Sequence, residues 1–513
     1  MKVVHEHRRD RQTPGVGRRG RLAGLAVLAG LGILVLGAAR ASSLSIGPEQ
    51  LRARIRSLVG QKGLSSIRWG IAVGPVGSGE LLFAHNADEL FVPASNRKLF
   101  VAALALHHLG PDYRFSTSLY LSGPLDNRSH FHGDLIVRGV GDPTFLNPRF
   151  HSGSLNGTLH QWAGDLAALG IRYVHGDLVM DSSGFASAER VAEGWVKDYE
   201  TAQYAPRVSA ICFRGNLAAV GIRPAGEEGA PILIRLYPEN SVLQIDNQAK
   251  TGPRGCPDTI EIHRSDAGPD QLTVTGRLAR GAPEQAQRVP VEQPERVAGE
   301  VFRSILTEKG IEVRGTVRVQ RDTPTTAPAQ WVRVAEHLSP PLRDILAAIN
   351  KDSDNHCAEQ LYQAVAFAKT GRASYPHAKK FEEGFLAEIG ILPSTANFED
   401  GCGLSRLDLV SPRAVVRLLG SMADHRHAEA FKASLAIAGR DGTIANRMGR
   451  RAIDRVFAKT GQLSVASALS GYAQTRAGGT IAFSILANDL NHRNADACFV
   501  QDRIVDWILA TRF

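Results

Sequence analysis

The apolar residues of this chain change their spacing twice, and no other feature constrains its fold as much. Up to about residue 113 the pattern is that of a helix-plus-sheet domain. Glu49 to Leu58 carries a helical period, and Trp69 to Val73 and Leu81 to Ala84 flank a Gly-rich turn as a hairpin. A long apolar helix follows from about Ser95 through Leu106. From Tyr113 short alternating segments take over: Ser116 to Leu121, Asp134 to Arg138, Asp177 to Asp181, Ile232 to Leu236, Leu272 to Thr275 and Val313 to Val319. Gly, Pro and Asn separate them, which predicts a β-rich region with few long helices. A Thr/Pro-rich connector, Asp322 to Gln330, closes that region.

Helices then return at Leu342 to Asn350, Ala358 to Lys369, Ala378 to Ile389 and Pro412 to Met422. Two strand-like runs, Val465 to Gln474 and Thr480 to Leu486, precede a last amphipathic helix from about Ala495 to Leu509. The simplest arrangement pairs the early hairpin with these late strands in one antiparallel sheet flanked by helices. The β-rich middle is then an insertion, and the fold class is α+β. The expected division is a leader at 1–41, a main domain from 42–113 and 331–513, an inserted domain from 114–215 and 286–330, and a second inserted domain at 216–285.

Hydrophobic content of 43% with 22% charged residues, in 513 residues, describes a folded protein of more than one domain. Part of the net charge of +9 sits in the leader, at Arg8, Arg9, Arg11, Arg18, Arg19 and Arg21. No basic strip interleaves with aromatics and no zinc-finger spacing occurs, so a nucleic-acid partner is not expected. After Arg21 an apolar run extends from Leu22 to Ala38 and ends in Ala39-Arg40-Ala41, the order of a secretory signal. Export to the periplasm or the outer face of the cytoplasmic membrane is expected, with cleavage after Ala41. An uncleaved leader that anchors the protein to the membrane is the alternative. The five cysteines form no C-x-x-C pair, so neither a structural zinc site nor a redox motif is expected, and the candidate site residues named below imply no metal or organic cofactor. An oxidising compartment allows Cys212 and Cys256 to pair, whereas Cys357 and Cys402 read as small buried residues.

Three short motifs carry the chemistry. Ser95-Asn96-Arg97-Lys98 places a hydroxyl and an amine one helical turn apart on one face. A hydroxyl needs a nearby base to become a nucleophile, and a lysine can be that base only when its pKa is depressed. Ser353-Asp354-Asn355 lies between two helical stretches, and Lys459-Thr460-Gly461 heads the late strands. Each is bland alone, as a helix cap, a capping loop or a strand edge. In this order, S-x-x-K, S-D-N and K-T-G are together the signature of penicillin-binding proteins and serine β-lactamases.

The chain resembles the low-molecular-mass class C penicillin-binding proteins, the D-alanyl-D-alanine carboxypeptidase/endopeptidase family. Further stretches are similar to that family: Gly139-Val140-Gly141-Asp142-Pro143, Gly194-Trp195 with Tyr204-Ala205-Pro206, Asn350-Lys351, Asp400 to Arg406, and Asp441-Gly442-Thr443. The resemblance implies a peptidoglycan DD-peptidase that binds wall stem peptides and is acylated by β-lactams. It implies Ser95 as nucleophile and Lys98 as its base. Ser353 relays a proton to the leaving amine, and Asn355 holds Lys98 and the substrate amide. Lys459 supplies positive charge, and Thr460 and Gly461 line the carboxylate end. The backbone N–H groups of Ser95 and Gln462 form the oxyanion hole. Gln462 stands where the family usually has Thr or Ser, and Cys402 where it commonly has Ser. Asp198, Tyr204 and Arg406 are implied substrate contacts. A β-lactamase and a non-catalytic wall-binding protein are the competing readings. The first lacks a clear deacylating glutamate motif, and the intact Ser95, Lys98, Ser353, Asn355 and Lys459 speak against the second.

Overall fold

The computed structural model describes residues 46–150, 156–185, 191–239, 242–268, 270–321 and 329–512. The expected leader, and most of the connector from Asp322, lie outside them. No helix among the described residues is long and apolar enough to cross a membrane.

The early hairpin and the late strands form one antiparallel sheet. Its order is Phe83–His85, Arg68–Pro75, Thr480–Asn488, Ala466–Gln474, Val456–Gln462, Ala436–Ile437. Register sets Ile71 opposite Ile485 and Leu469 opposite Ile485 on the other side. Successive side chains point to opposite faces, so both faces of the sheet must be covered. Ile71, Val73, Phe483 and Ile485 pack with the helices Pro48–Val59 and Asn494–Ala510, while Ala482, Leu486 and Tyr472 pack on the other face with the helix Arg97–Leu109. Every residue of that helix from Leu99 to Leu106 is at most 1% exposed. A helix apolar on all sides has to be enclosed, and this one lies between the sheet and the returning helices.

The inserted part carries a five-stranded mixed sheet in the order Val317–Gln320, Leu178–Asp181, Leu135–Arg138, Ser116–Leu121, Val332–Leu338. The first three run parallel. Parallel neighbours need long crossovers, and the helices Gly157–Ala168 and Pro294–Glu308 supply them. The expectation of few long helices missed both. The predicted strand Val313 to Val319 is likewise two strands, Glu312–Val313 and Val317–Gln320, broken around Gly315. The strand Val332–Leu338 pairs with Ser116–Leu121, so it continues the inserted sheet although it falls after residue 331. Smaller sheets fill residues 217–290, and one apolar cluster joins Val220 and Leu272 to Leu119, Val137 and Phe302.

The expected Cys212–Cys256 bridge does not form, and both are free thiols. Cys212 is buried beside Gln360, whose Nε2 lies 2.9 Å from its Sγ, while Cys256 packs against the backbone of Gly252. Cys357 and Cys402 are fully buried, as expected.

Candidate active site

The three motifs meet where the buried helix, the helix Asn355–Thr370 and the strand Val456–Gln462 come together. Ser95 sits in a single 3₁₀ turn, Ala94–Asn96, that leads into the helix Arg97–Leu109. Lys98 is therefore one turn further along, and its Nζ lies 3.0 Å from Ser95 Oγ. Two acceptors hold the same nitrogen: Asn355 Oδ1 at 2.6 Å and the Cys402 carbonyl at 2.7 Å. A neutral amine has two N–H groups and one lone pair. With both N–H groups taken, the lone pair is left for the Ser95 hydroxyl proton. Asn355 Nδ2 donates to the Tyr204 carbonyl at 2.7 Å, which fixes the amide with its oxygen toward Lys98.

Ser353 lies in the short link between the helices Leu342–Lys351 and Asn355–Thr370, with φ of 61°. A serine in the left-handed region is held there at a cost, and Asp354 contributes to the hold by capping the next helix through Cys357 N at 2.9 Å. The turn aims Ser353 Oγ at Lys459 Nζ, 2.9 Å away. Lys459 Nζ also donates to the Thr460 carbonyl at 2.7 Å, and Asn96 Nδ2 ties the Lys459 carbonyl to the Ser95 turn at 2.8 Å.

Two glycines permit this closeness. A Cβ on Gly461 would lie 2.9 Å from Ser95 N and 2.7 Å from the Pro93 carbonyl. Gly403, at φ +87°, faces the Ala94 carbonyl so closely that a Cβ would sit 2.0 Å from it. The strand and the loop that carries the Cys402 carbonyl thus both abut the backbone of the nucleophile turn.

Burial pushes both lysine pKa values down. For Lys98, Asp400, Glu359 and Asp354 offset part of the desolvation. Lys459 is pushed well down, first by burial and then by Lys98, with Asp352 opposing. Both shifts run toward the neutral amine, the form in which Lys98 has a lone pair to accept the Ser95 proton. Behind Lys98, Asp400 accepts from the backbone N–H groups of Gly403, Leu404 and Ser405 and from Trp195 Nε1. Glu359, whose burial raises its pKa to about 7, accepts from Gly401 N and Tyr375 Oη. Glu359, Asp400 and Cys402 lie close enough together to hold a metal ion, as do Asp354, His356 and Cys357. Glu359 and Asp400 of the first set already accept backbone N–H groups, and Asp354 of the second caps a helix, while both His356 ring nitrogens are buried without a hydrogen-bond partner among the described residues.

A serine hydroxyl, a buried lysine with a free lone pair, and a second serine–lysine pair across a cleft suit acyl transfer. Comparison with known proteins agrees. A sequence profile of the family described as D-Ala-D-Ala carboxypeptidase 3 (S13) matches residues 51–511. The chain belongs to that family. It is 34% identical to a D-alanyl-D-alanine carboxypeptidase from an Actinomadura strain, over 97% of this chain and 91% of the relative. A second relative, the D-alanyl-D-alanine carboxypeptidase DacB of Haemophilus influenzae, is 28% identical over 84% of this chain and 88% of its own. The crystal structure of penicillin binding protein 4 from Haemophilus influenzae superposes with a TM-score of 0.77 at 26% identity, covering 89% of this chain and 99% of that one. The protein is a serine hydrolase of the S13 peptidase family with the penicillin-binding fold.

The remaining predicted S13 site residues fall into two groups. Thr460 Oγ1 bonds Thr443 Oγ1 at 2.8 Å, and Gln462, exposed at the end of the same strand, pairs with Ser467. Tyr204 reaches the site through its carbonyl, and its exposed ring rests 5.4 Å from that of Tyr199. Asp198, exposed in the 3₁₀ turn Lys197–Tyr199, influences Tyr204 electrostatically but touches none of the five central side chains. Arg406 is exposed, and among the described residues its backbone N–H alone is engaged, to the Gly194 carbonyl at 3.4 Å. Two contributors escaped the sequence reading. The Cys402 carbonyl is a backbone group, and Glu359 lies one turn beyond Asn355 on the same helix, a spacing that could have drawn attention to it.

Proposed function

We propose that Ser95 is the acylated nucleophile of a peptidoglycan DD-peptidase that cleaves D-Ala-D-Ala termini, D-alanyl cross-links or both. The observation that carries this is the placement of Lys98 Nζ, 3.0 Å from Ser95 Oγ with its other directions occupied by Asn355 and Cys402. Ser95 Oγ attacks the carbonyl carbon of the penultimate D-alanine, and its proton passes to Lys98 Nζ. The oxyanion is held by the backbone N–H groups of Ser95 and Gln462, each such donor contributing roughly 3 kcal/mol in the transition state. Collapse breaks the C–N bond; the Ser353 hydroxyl hands its proton to the leaving amine and takes up the one Lys98 had accepted, which leaves Lys98 neutral again for the attack by water. Water then hydrolyses the ester through the same Lys98.

The substrate's terminal carboxylate brings negative charge to Lys459. Set beside Lys459 it favours the ammonium form there, and a cation at Lys459 favours the neutral form of Lys98. Base activation is thus coupled to carboxylate binding. Gln462 brings no hydroxyl to that carboxylate, which leaves Thr460 and Lys459 to hold it. The same acylation chemistry accounts for covalent inhibition by β-lactams. We place the protein outside the cytoplasmic membrane, on the strength of the signal-like leader, and adopt the division into a main domain and two inserted parts, with the strand Val332–Leu338 in the inserted part.

Digestion of purified cross-linked muropeptides, followed by mass spectrometry, tests the substrate. Loss of a terminal D-alanine, scission of cross-links, or both is expected, and each should vanish in Ser95→Ala. Intact muropeptides together with rapid release of hydrolysed penicillin would establish the β-lactamase reading instead.

A further inference from the structure

Away from the active site, three short parallel strands of the inserted part lie side by side: Glu312–Val313, Tyr173–Val174 and His130–Phe131. Val313, Val174 and Phe131 are buried, so the alternation turns Tyr173 and His130 outward, with His175 and His132 following on the same face. Their rings form a ladder. His132 stacks on His175 with centroids 4.7 Å apart, and His130 stacks on Tyr173 at 4.6 Å.

Beside Tyr173 opens a concavity of about 700 Å³ whose lining includes Arg128, Arg172 and Arg303. None of these three guanidinium groups meets a carboxylate among the described residues. Arg172 Nη1 donates to the carbonyls of Ala167 at 3.1 Å and Ile171 at 3.0 Å, and Arg303 Nη2 approaches the Val313 carbonyl at 3.5 Å. Two carboxylates stand near them: Glu312 on the rim, paired with Arg314 at 3.4 Å, and Asp126, which accepts from the Arg128 backbone N–H at 2.8 Å and lies 3.2 Å from His132 Nε2. About half of the other described arginines of the inserted part have an acidic partner, among them Arg207, Arg318 and Arg321.

Three guanidinium forks left unpaired by either carboxylate, lining one concavity, fit carboxylates. The ring ladder beside them, its faces taken up by mutual stacking and by Arg314 5.4 Å over Tyr173, adds polar ring edges. A lipid surface would be met better by a flat face with exposed aliphatic side chains. We infer that this concavity docks carboxylate-bearing stem peptides of the cell wall at a point remote from the scissile peptide. The inference rests on the peptidoglycan reading above and adds a second, non-catalytic contact to it.

Co-sedimentation of the full protein with purified peptidoglycan sacculi, at increasing salt, tests it. Arg128→Ala/Arg172→Ala/Arg303→Ala is the main variant. Arg128→Glu/Arg303→Glu keeps the Arg172 contacts to the helix end, should the triple variant fold poorly. Labelled-penicillin acylation and hydrolysis of a short soluble D-Ala-D-Ala peptide are measured in parallel. Sacculus affinity should fall about tenfold or more, on the scale of one lost charge-assisted contact, and its salt dependence should flatten. Acylation and soluble-peptide turnover should be unchanged. Sacculus binding equal to that of the parent protein would overturn the inference, as would parent protein that binds anionic phospholipid vesicles and ignores sacculi. Arginine-dependent sacculus binding in a protein that is never acylated would uphold the docking site and strike the peptidase reading alone.

Discussion

At the scale of single residues the account turns on one nitrogen. Lys98 Nζ is within reach of a hydroxyl, an amide oxygen and a backbone carbonyl, and burial holds its pKa below the ordinary lysine range. A base of depressed pKa is protonated and idle at low pH, and becomes available as pH rises through that value. The acylation rate should therefore climb with pH to a midpoint below that of free lysine, and stopped-flow acylation by a chromogenic β-lactam across pH would show it. A midpoint at or above the free-lysine value would mean that Lys98 is not the base. The residues that make this chemistry were legible because three motifs occur in order. The Cys402 carbonyl was not, because a backbone group leaves no mark in residue identity.

At the scale of elements, the nucleophile helix is fixed by a buried strut. Arg97, 0% exposed, forms a two-pronged pair with Glu382 of the helix Tyr375–Glu388, with one contact at 2.8 Å. Its Nε reaches the Asp400 carbonyl at 2.7 Å, and its guanidinium lies 4.1 Å over the Phe398 ring. Glu382→Ala leaves that cation buried and unpaired, a loss of about 3 to 5 kcal/mol of folding stability. Denaturant unfolding of the purified variant checks it, and a loss under about 1 kcal/mol would show that the pair is dispensable. Helices with a clean 3.6-residue period, such as Pro412–Ala423, were predicted to within a residue at their ends. The crossover helices Gly157–Ala168 and Pro294–Glu308 were not, because they sit among short strands whose alternation dominates the local pattern. Only the parallel pairing of Leu135–Arg138, Leu178–Asp181 and Val317–Gln320 makes them necessary, and pairing direction is not written in any one strand.

At the scale of the whole molecule, the inserted part braces the Ser353 turn. Arg149 forms ion pairs with Asp352 and, at 3.6 Å, with Asp354, while the Tyr204 carbonyl holds Asn355. Gln360, one turn into the same helix, accepts from Ser209 N at 2.9 Å and donates to the Ser209 carbonyl at 2.6 Å. Displacing a catalytic group by a fraction of an ångström lowers rate more than binding. Arg149→Ala should slow acylation roughly tenfold with little change in KM, as read from single-turnover kinetics. An effect confined to KM would place Arg149 in substrate binding. That the middle of the chain is an insertion could be read from the change in spacing; that it reaches into the site could not, since the contacting residues lie 151 and 203 positions apart in sequence. All of this serves one covalent event. Intact-protein and peptide mass spectrometry after brief exposure to penicillin should show a single adduct on the peptide that contains Ser95, absent in Ser95→Ala. An adduct on any other residue, or none in the folded parent protein, would contradict the assignment of Ser95 as the nucleophile.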